Sequence, residues 1–220
     1  MLEFGREYEV LVFDDASTDN TLEVIEPYRS VLPIHVIRGK DRMGYGILVE
    51  RLLREALRRT RYPKRDAAVV IQGDFTDDPE HIVALVKALE GGADLVAGNV
   101  TRNGADVPYS IKITQMIAPI ILGKAYSRAP VSDPFCGFRA YRLIVFKKVI
   151  EGNPSGSLLS KNRWTANFKL LKFMTPHARR ITEIPMSINY GIRKRPSRFR
   201  VFRTLRSLLG VRKENWENIS

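Results

Sequence analysis

Val10-Leu-Val-Phe-Asp14-Asp15-Ala-Ser17-Thr-Asp19-Asn-Thr21 is an apolar run that stops abruptly at two carboxylates. Bounded by Asp, Ser and Thr, such a run reads as a buried strand whose carboxyl end opens into a helix N-terminus. There, Asp, Ser and Asn side chains accept the otherwise unpaired N–H groups. Open α/β sheets bind ligands at strand ends of this kind. Two adjacent acids on one loop suit ribose hydroxyls, a base edge or a metal. A solvated acidic turn with a good N-cap accounts for the local pattern equally well.

Outward from this stretch, strands and helices alternate. Residues 20–28 read as a helix ended near Pro27, and residues 34–38 as a second strand. Leu48, Val49, Leu52, Leu53 and Ala56 then recur at helical spacing, with Glu50, Arg51, Arg54, Arg58 and Arg59 on the other side. Residues 67–71 form another apolar run, which enters Gln72-Gly73-Asp74-Phe75-Thr76-Asp77-Asp78-Pro79-Glu80. Asp78 before Pro79 is a helix-start signal; the helix runs to Glu90 and stops at Gly91-Gly92, and residues 94–98 make one more strand. This order predicts a mostly parallel sheet with helices on both faces, and places the acids near 14 and near 74 on one sheet edge. Beyond Arg102 the pattern loosens. A helix is expected over 109–126 despite Pro119, a loop entering a short strand over 130–141, a helix over 164–173 and a strand over 180–188.

Composition narrows the setting. The 220 residues suffice for one well-buried domain, and the lone Cys136 offers neither an internal disulfide nor a zinc site. Lys and Arg number 36 against 24 Asp and Glu, a formal charge of +12, so polyanions are the expected partners. No signal-peptide pattern and no apolar run long enough to span a bilayer is present, which predicts a soluble or peripheral protein. The chain's end changes character. Arg193-Lys-Arg-Pro-Ser-Arg-Phe-Arg200 is a basic loop, and Phe202, Leu205, Leu208 and Leu209 make a stripe opposite Arg200, Arg203 and Arg206. That pattern suits an interfacial helix on an anionic membrane. Nucleic acid is not expected, because no recognisable reading helix or aromatic platform accompanies the charge.

Taken together, the motifs resemble family 2 glycosyltransferases of the GT-A fold, including the polyprenyl-phosphate (dolichol-phosphate) mannosyl- and glucosyltransferases. Asp14 to Thr21 matches DDxSxDxT; Gln72-Gly-Asp74-Phe-Thr-Asp77-Asp-Pro79-Glu80 is similar to DADLQDPPE; Asp133-Pro-Phe-Cys-Gly137-Phe-Arg139-Ala-Tyr141 is similar to D-x-x-SGFRAY. Glu183-Ile-Pro185 resembles the EvPi strand, and residues 193–198 loosely resemble the basic R-x-x-G-x-S-K loop. The resemblance implies a Rossmann-like GT-A domain over residues 1–192, followed by the basic loop and interfacial helix over 193–220. It implies transfer of a sugar from a GDP- or UDP-linked donor to a membrane acceptor, most simply polyprenyl phosphate, with inversion and with Mg²⁺ or Mn²⁺. The setting it implies is the cytoplasmic face of a membrane.

The resemblance also implies roles. Asp14, Asp15 and Gln72 would lie against the nucleotide, Asp74 would hold the metal and diphosphate, and Arg193, Ser197 and Arg198 would close over the donor. Arg102 and Arg139 would receive an acceptor phosphate, and Asp133 would be the base if the acceptor were a hydroxyl. An acid capping a turn is the other role open to Asp133, and a surface or ion-paired arginine the other role for Arg102 and Arg139. Some positions depart from the pattern. Gln72 stands where the family has the first acid of D-x-D, Thr76 replaces the glutamine, and Pro196 sits in a loop without the family's glycine. The family's leading strand and P-x-Y-N-E-like loop have no counterpart ahead of Val10, so a sheet short of one strand is expected. Two other functions fit the same residues: transfer to a glycan or small-molecule hydroxyl, and a non-catalytic module bound to a membrane surface.

Overall fold

The computed structural model describes residues 5–74, 76–100, 109–153, 157–159, 161–187 and 201–212. Its strands form two sheets. β1 (Val10–Asp14) pairs in parallel with β2 (Ile34–Arg38), Val10 opposite Ile34 and Asp14 opposite Arg38. The second sheet contains β3 (Ala67–Val70), β4 (Leu95–Val100), β5 (Arg139–Arg142) and β6 (Ile181–Met186), in the order β3-β5-β4-β6. β4 and β6 are parallel, whereas β5 runs against both β3 and β4. The α/β class and the shared direction of β3, β4 and β6 agree with the sequence; the single sheet edge expected for the acids near 14 and near 74 does not, because β1 and β3 lie in different sheets. The reversed β5 was not legible, because four residues after a loop carry no sign of direction.

Both faces of the second sheet are covered, and the pleat explains how. Successive side chains of a strand point to opposite faces. Leu95 and Ala97 of β4 therefore join α2 (Tyr45–Arg59), α6 (Leu143–Gly152) and α7 (Arg163–Met174) through Val49, Leu53, Val145, Phe146, Leu171 and Met174. Val96 faces the other way, onto Leu85 and Leu89 of α3 (His81–Glu90). Each such apolar side chain taken out of water contributes about 1.5–3 kcal/mol before the entropy of ordering it. Helix α6 was not anticipated: its opening Leu-Ile-Val-Phe follows β5 without a loop, and a short apolar run does not distinguish strand from helix.

Two helix expectations are corrected. The segment after Asn20 is a short α1 (Thr21–Ile25) followed by a 3₁₀ turn over Glu26–Ser30, with Pro27 near its start. The helix expected over 109–126 is broken into α4 (Tyr109–Leu122) and α5 (Lys124–Ser127) by Gly123, whose φ of +51° only glycine adopts without strain.

At the C-terminal end, α8 (Val201–Arg212) packs on α4 and α7. Its inward side is Leu205, Leu208 and Val211, against Ile111, Ala118, Leu122 and Phe168, while Phe202 and Leu209 stay outside. The expected single apolar stripe is thus divided between a protein core and solvent. α2 lies against both β1 and β3, and so spans the two sheets. Among the described residues, no helix is long and apolar enough to cross a membrane.

Candidate active site

At the carboxyl end of β1 the two acids do different work. Asp14 is buried; its Oδ1 accepts the Ser17 N–H (3.1 Å), and Oδ2 lies 3.5 Å from Arg38 Nε with no hydrogen-bond partner of its own. Asp15 accepts the Met43 and Gly44 N–H groups at 2.7 and 3.2 Å. Those amides open α2, so an anion sits where the helix dipole favours one. The capping role open to these acids is therefore filled, but for a helix almost thirty residues away. At α1 itself, Asn20 makes no side-chain cap, and Asp19 accepts the Thr21 N–H instead.

The loop after β3 supplies the second acidic group. Asp74 accepts the N–H and hydroxyl of Thr76, and Asp78 accepts the Glu80 N–H in the turn ahead of α3, whose own N-cap, Glu80, makes no side-chain cap. Asp77, part of the acidic cluster read from sequence but given no role of its own there, is the buried acid of this loop, and its Oδ2 accepts the Gln72 N–H (3.1 Å). Burial pushes the Asp77 carboxyl above the ordinary carboxylate range; Arg163 and the Gln72 N–H pull it back, and Asp74 adds to the rise.

Both loops act on the first turn of α2. Asp15 holds the amides just before it, and Tyr45, the first helical residue, feels the charge of Asp77. The Arg163 guanidinium, at the start of α7, lies 6.0 Å from the Tyr45 ring centroid. Burial pushes the Tyr45 hydroxyl up to about 12, so it is a neutral donor at physiological pH. Tyr45 Oη and Arg163 Nε are buried without a hydrogen-bond partner, while the Gln72 side chain acts on the Asp77 carboxyl. Buried polar atoms are normally paired, so these unpaired donors mark a place for a polar ligand. No periodicity announces Tyr45 or Arg163, since they come together only through the packing of α2 on α7.

The loop over 133–138 closes one side. Asp133 Oδ1 accepts the Phe135 and Cys136 N–H groups (2.9 and 3.2 Å), which makes it a turn cap. Arg139 is fully buried; it donates to the main-chain oxygens of Pro134 and Asn167 at 2.8 and 2.9 Å and, more weakly, of Asp133 at 3.4 Å. Through its NH₂ groups Arg139 braces this loop against α7, while its Nε is buried without a hydrogen-bond partner. Asn167 ties the same loop by donating to the Phe135 oxygen (2.9 Å). The Cys136 thiol is pushed up to about 11 by burial and is unreactive at neutral pH.

Arg102, Arg193, Ser197 and Arg198 lie outside the described residues. Among the described residues, no three His, Cys, Asp or Glu side chains gather into a metal cage. Asp74 Oδ1 is engaged by Thr76, and Gln72 stands where a second acid would be.

The family model described as Glycosyl transferase family 2 matches residues 2–150. Dolichol-phosphate mannosyltransferase of Pyrococcus furiosus is 30% identical over 203 residues, covering 87% of this chain and 50% of that protein. Undecaprenyl-phosphate 4-deoxy-4-formamido-L-arabinose transferase of Shewanella sediminis is 27% identical over 150 residues, covering 67% of this chain and 42% of that protein. The chain thus spans half or less of the length of these relatives. Among solved structures, S. aureus TarS aligns over 97% of this chain and 59% of its own with a TM-score of 0.51 and 18% identity. Glucosyl-3-phosphoglycerate synthase from Mycobacterium tuberculosis, in complex with phosphoglyceric acid, aligns over 92% of this chain and 69% of its own with a TM-score of 0.52 and 18% identity. At that identity the likeness is one of fold, and the fold is GT-A.

Proposed function

Because the chain belongs to glycosyl transferase family 2, we propose that it moves a sugar from a nucleoside diphosphate, GDP- or UDP-linked, to a polyprenyl phosphate, with inversion at the anomeric carbon. The observation that carries this reading is the placement of Asp15 and Arg163 at the first turn of α2, within the field of Asp77. The acceptor class is supported by the relatives named for dolichol phosphate and undecaprenyl phosphate.

In this proposal Asp14 offers its unpartnered Oδ2 to the nucleoside, and Asp15 orients the turn that carries Tyr45. Arg163 and the Tyr45 hydroxyl donate to phosphate oxygens, for which a guanidinium fork is well shaped. Arg102, Arg193, Ser197 and Arg198 retain the phosphate-binding roles the resemblance implies, and Arg139 positions the 133–138 loop. Asp74 would hold Mg²⁺ or Mn²⁺, which offsets charge on a departing diphosphate.

An acceptor phosphate oxygen attacks the anomeric carbon opposite the diphosphate. The bond from that carbon to the diphosphate oxygen breaks, and its electron pair leaves with the nucleoside diphosphate. The attacking oxygen is already anionic, so no base is needed. That agrees with Asp133 serving as a turn cap. The donor's nucleotide and the lipid acceptor together favour a peripheral position at the cytoplasmic face of a membrane.

The test is incubation of the purified chain with labelled GDP- and UDP-hexoses and polyprenyl phosphate in detergent, with EDTA, Mg²⁺ or Mn²⁺. A lipid-extractable product that requires metal, and falls at least about 100-fold in Asp74→Ala, is expected. Transfer solely to soluble sugars, abolished by Asp133→Asn, would move the acceptor to a hydroxyl. No metal-dependent affinity for either nucleotide in calorimetry would favour a non-catalytic module.

A further inference from the structure

Glu50 is a buried acid where helical spacing expects an outward-facing one. In the sequence pattern it shares the polar side of α2 with Arg51, Arg54, Arg58 and Arg59, yet it is 4% exposed. Each carboxylate oxygen has its own partners. Oε1 accepts from Arg54 Nε and Nη2 at 2.9 and 2.8 Å, which balances the charge. Oε2 accepts the Leu158 and Leu159 N–H groups at 2.8 and 3.0 Å and the Ser157 hydroxyl at 3.1 Å. Burying a carboxylate is costly, and an apolar side chain of similar volume often serves stability as well or better. What Glu50 adds is an attachment point.

The attached segment leads to the candidate site. Residues 157–159 lie ahead of α7 and are held at the middle of α2. Two residues further on, the Lys161 backbone reaches the start of α2: a Cβ on Gly44 would stand 3.1 Å from the Lys161 oxygen and 3.3 Å from its Cα. Gly44 has a φ of +89°, a conformation that favours glycine, so the two backbones approach closely there. Asn162 then caps α7 by accepting the Thr165 N–H (3.2 Å), and Arg163 follows with its guanidinium 6.0 Å from the Tyr45 ring centroid. These contacts run back along α2, from Glu50 to Gly44 and Tyr45, and end at Arg163.

We propose that Glu50 is a positioning residue for Arg163: by holding Ser157, Leu158 and Leu159 it fixes the approach to α7 and keeps the Arg163 guanidinium over Tyr45, where it meets the donor diphosphate. The proposal rests on the phosphate-binding role given to Arg163 above. Glu50 touches no substrate; it acts through the short stretch of chain that ends at Arg163. Without its carboxylate, two neighbouring amides and a hydroxyl lose their acceptor, and the segment is released toward water.

Calorimetric titration of the whole chain with GDP and UDP in Mg²⁺, with no acceptor present, tests this without transfer. Glu50→Met keeps the volume and removes the acceptor; it should weaken nucleotide binding at least about tenfold, while Glu50→Gln, which keeps an oxygen for the two amides, should stay within about threefold of the parent. Glu50→Asp withdraws the oxygens by one methylene and should weaken binding at least about threefold, which decides the matter if Glu50→Met does not fold. In an Arg163→Gln background, Glu50→Met should change affinity less than about twofold, because its effect passes through Arg163. An equal loss with and without Arg163, or unchanged affinity in Glu50→Met and Glu50→Asp, overturns the proposal and leaves Glu50 a structural acid. Trp164, next to Arg163 and stacked on Phe135 at 4.6 Å, gives a second readout. In a Trp216→Phe background its emission should shift to longer wavelength in Glu50→Met, and not in Leu85→Ala, a core change in α3 that lowers the urea midpoint. If the parent binds neither nucleotide, the proposed function fails; a Trp164 shift confined to Glu50→Met then still assigns Glu50 to setting the start of α7, and its absence overturns that as well.

Discussion

A Cβ on Gly137 would stand 2.5 Å from the Tyr45 hydroxyl and 2.8 Å from Asn167 Nδ2. The loop over 133–138 and the first turn of α2 therefore touch, backbone against side chain, with no space between them. Gly137→Ala should destabilise the fold by about 1–3 kcal/mol. Removing the hydroxyl relieves part of the clash, so Gly137→Ala should cost about 0.5–1 kcal/mol less in a Tyr45→Phe background. Urea denaturation of the four proteins in this cycle measures the difference, and strict additivity would mean that the two residues do not meet.

Asp14 and Asp15 are neighbours with different partners, and substitution should separate them. Asp15→Ala removes the acceptor of two amides at the start of α2 and should cost about 1–2 kcal/mol of stability. Asp14→Asn keeps an acceptor for the Ser17 N–H and should change stability by less than about 1 kcal/mol, while weakening nucleotide binding at least about tenfold. Denaturation combined with calorimetric titration of GDP and UDP checks both halves.

Arg139→Lys tests whether this arginine is structural. Lysine cannot fork to the carbonyls of Pro134 and Asn167 at once, so a loss of about 2–4 kcal/mol is expected. An arginine that served solely as a phosphate ligand would leave the urea midpoint unchanged.

Asp77 should make stability depend on pH in a particular direction. Its carboxyl is raised in the folded protein, so the fold binds that proton more tightly than the unfolded chain does. The resulting stability is fully present below the ordinary carboxylate range and is lost as pH rises through the folded-state value. Asp77→Asn retains an acceptor for the Gln72 N–H and removes the buried charge. The Tm of the variant relative to the parent should therefore increase between pH 4 and pH 7, to an advantage of up to about 3 °C. A constant difference across that range would contradict the assignment. If Asp77 serves the site as proposed, the same change lowers transferase activity.

Much of this protein was legible before its structure. The apolar runs ending in acids became β1 and β3, β2 occupies residues 34–38 as the alternation predicts, and Gly91 ends α3 where the Gly-Gly pair announces a stop. Periodicity and turn chemistry are local, so a sequence displays them directly. Tertiary packing decided the rest. Asp15 serves α2 rather than the helix that follows it, Arg139 turns inward to the Asn167 carbonyl on α7 and to the carbonyls of the 133–138 loop, and β5 enters the sheet reversed. The apolar stripe of α8 is shared between a core and a free surface, and Tyr45, Asp77 and Arg163 assemble from three separate elements. Each of these depends on which distant backbone group or side chain lies within a few ångströms, a relationship between elements that no spacing along the chain encodes.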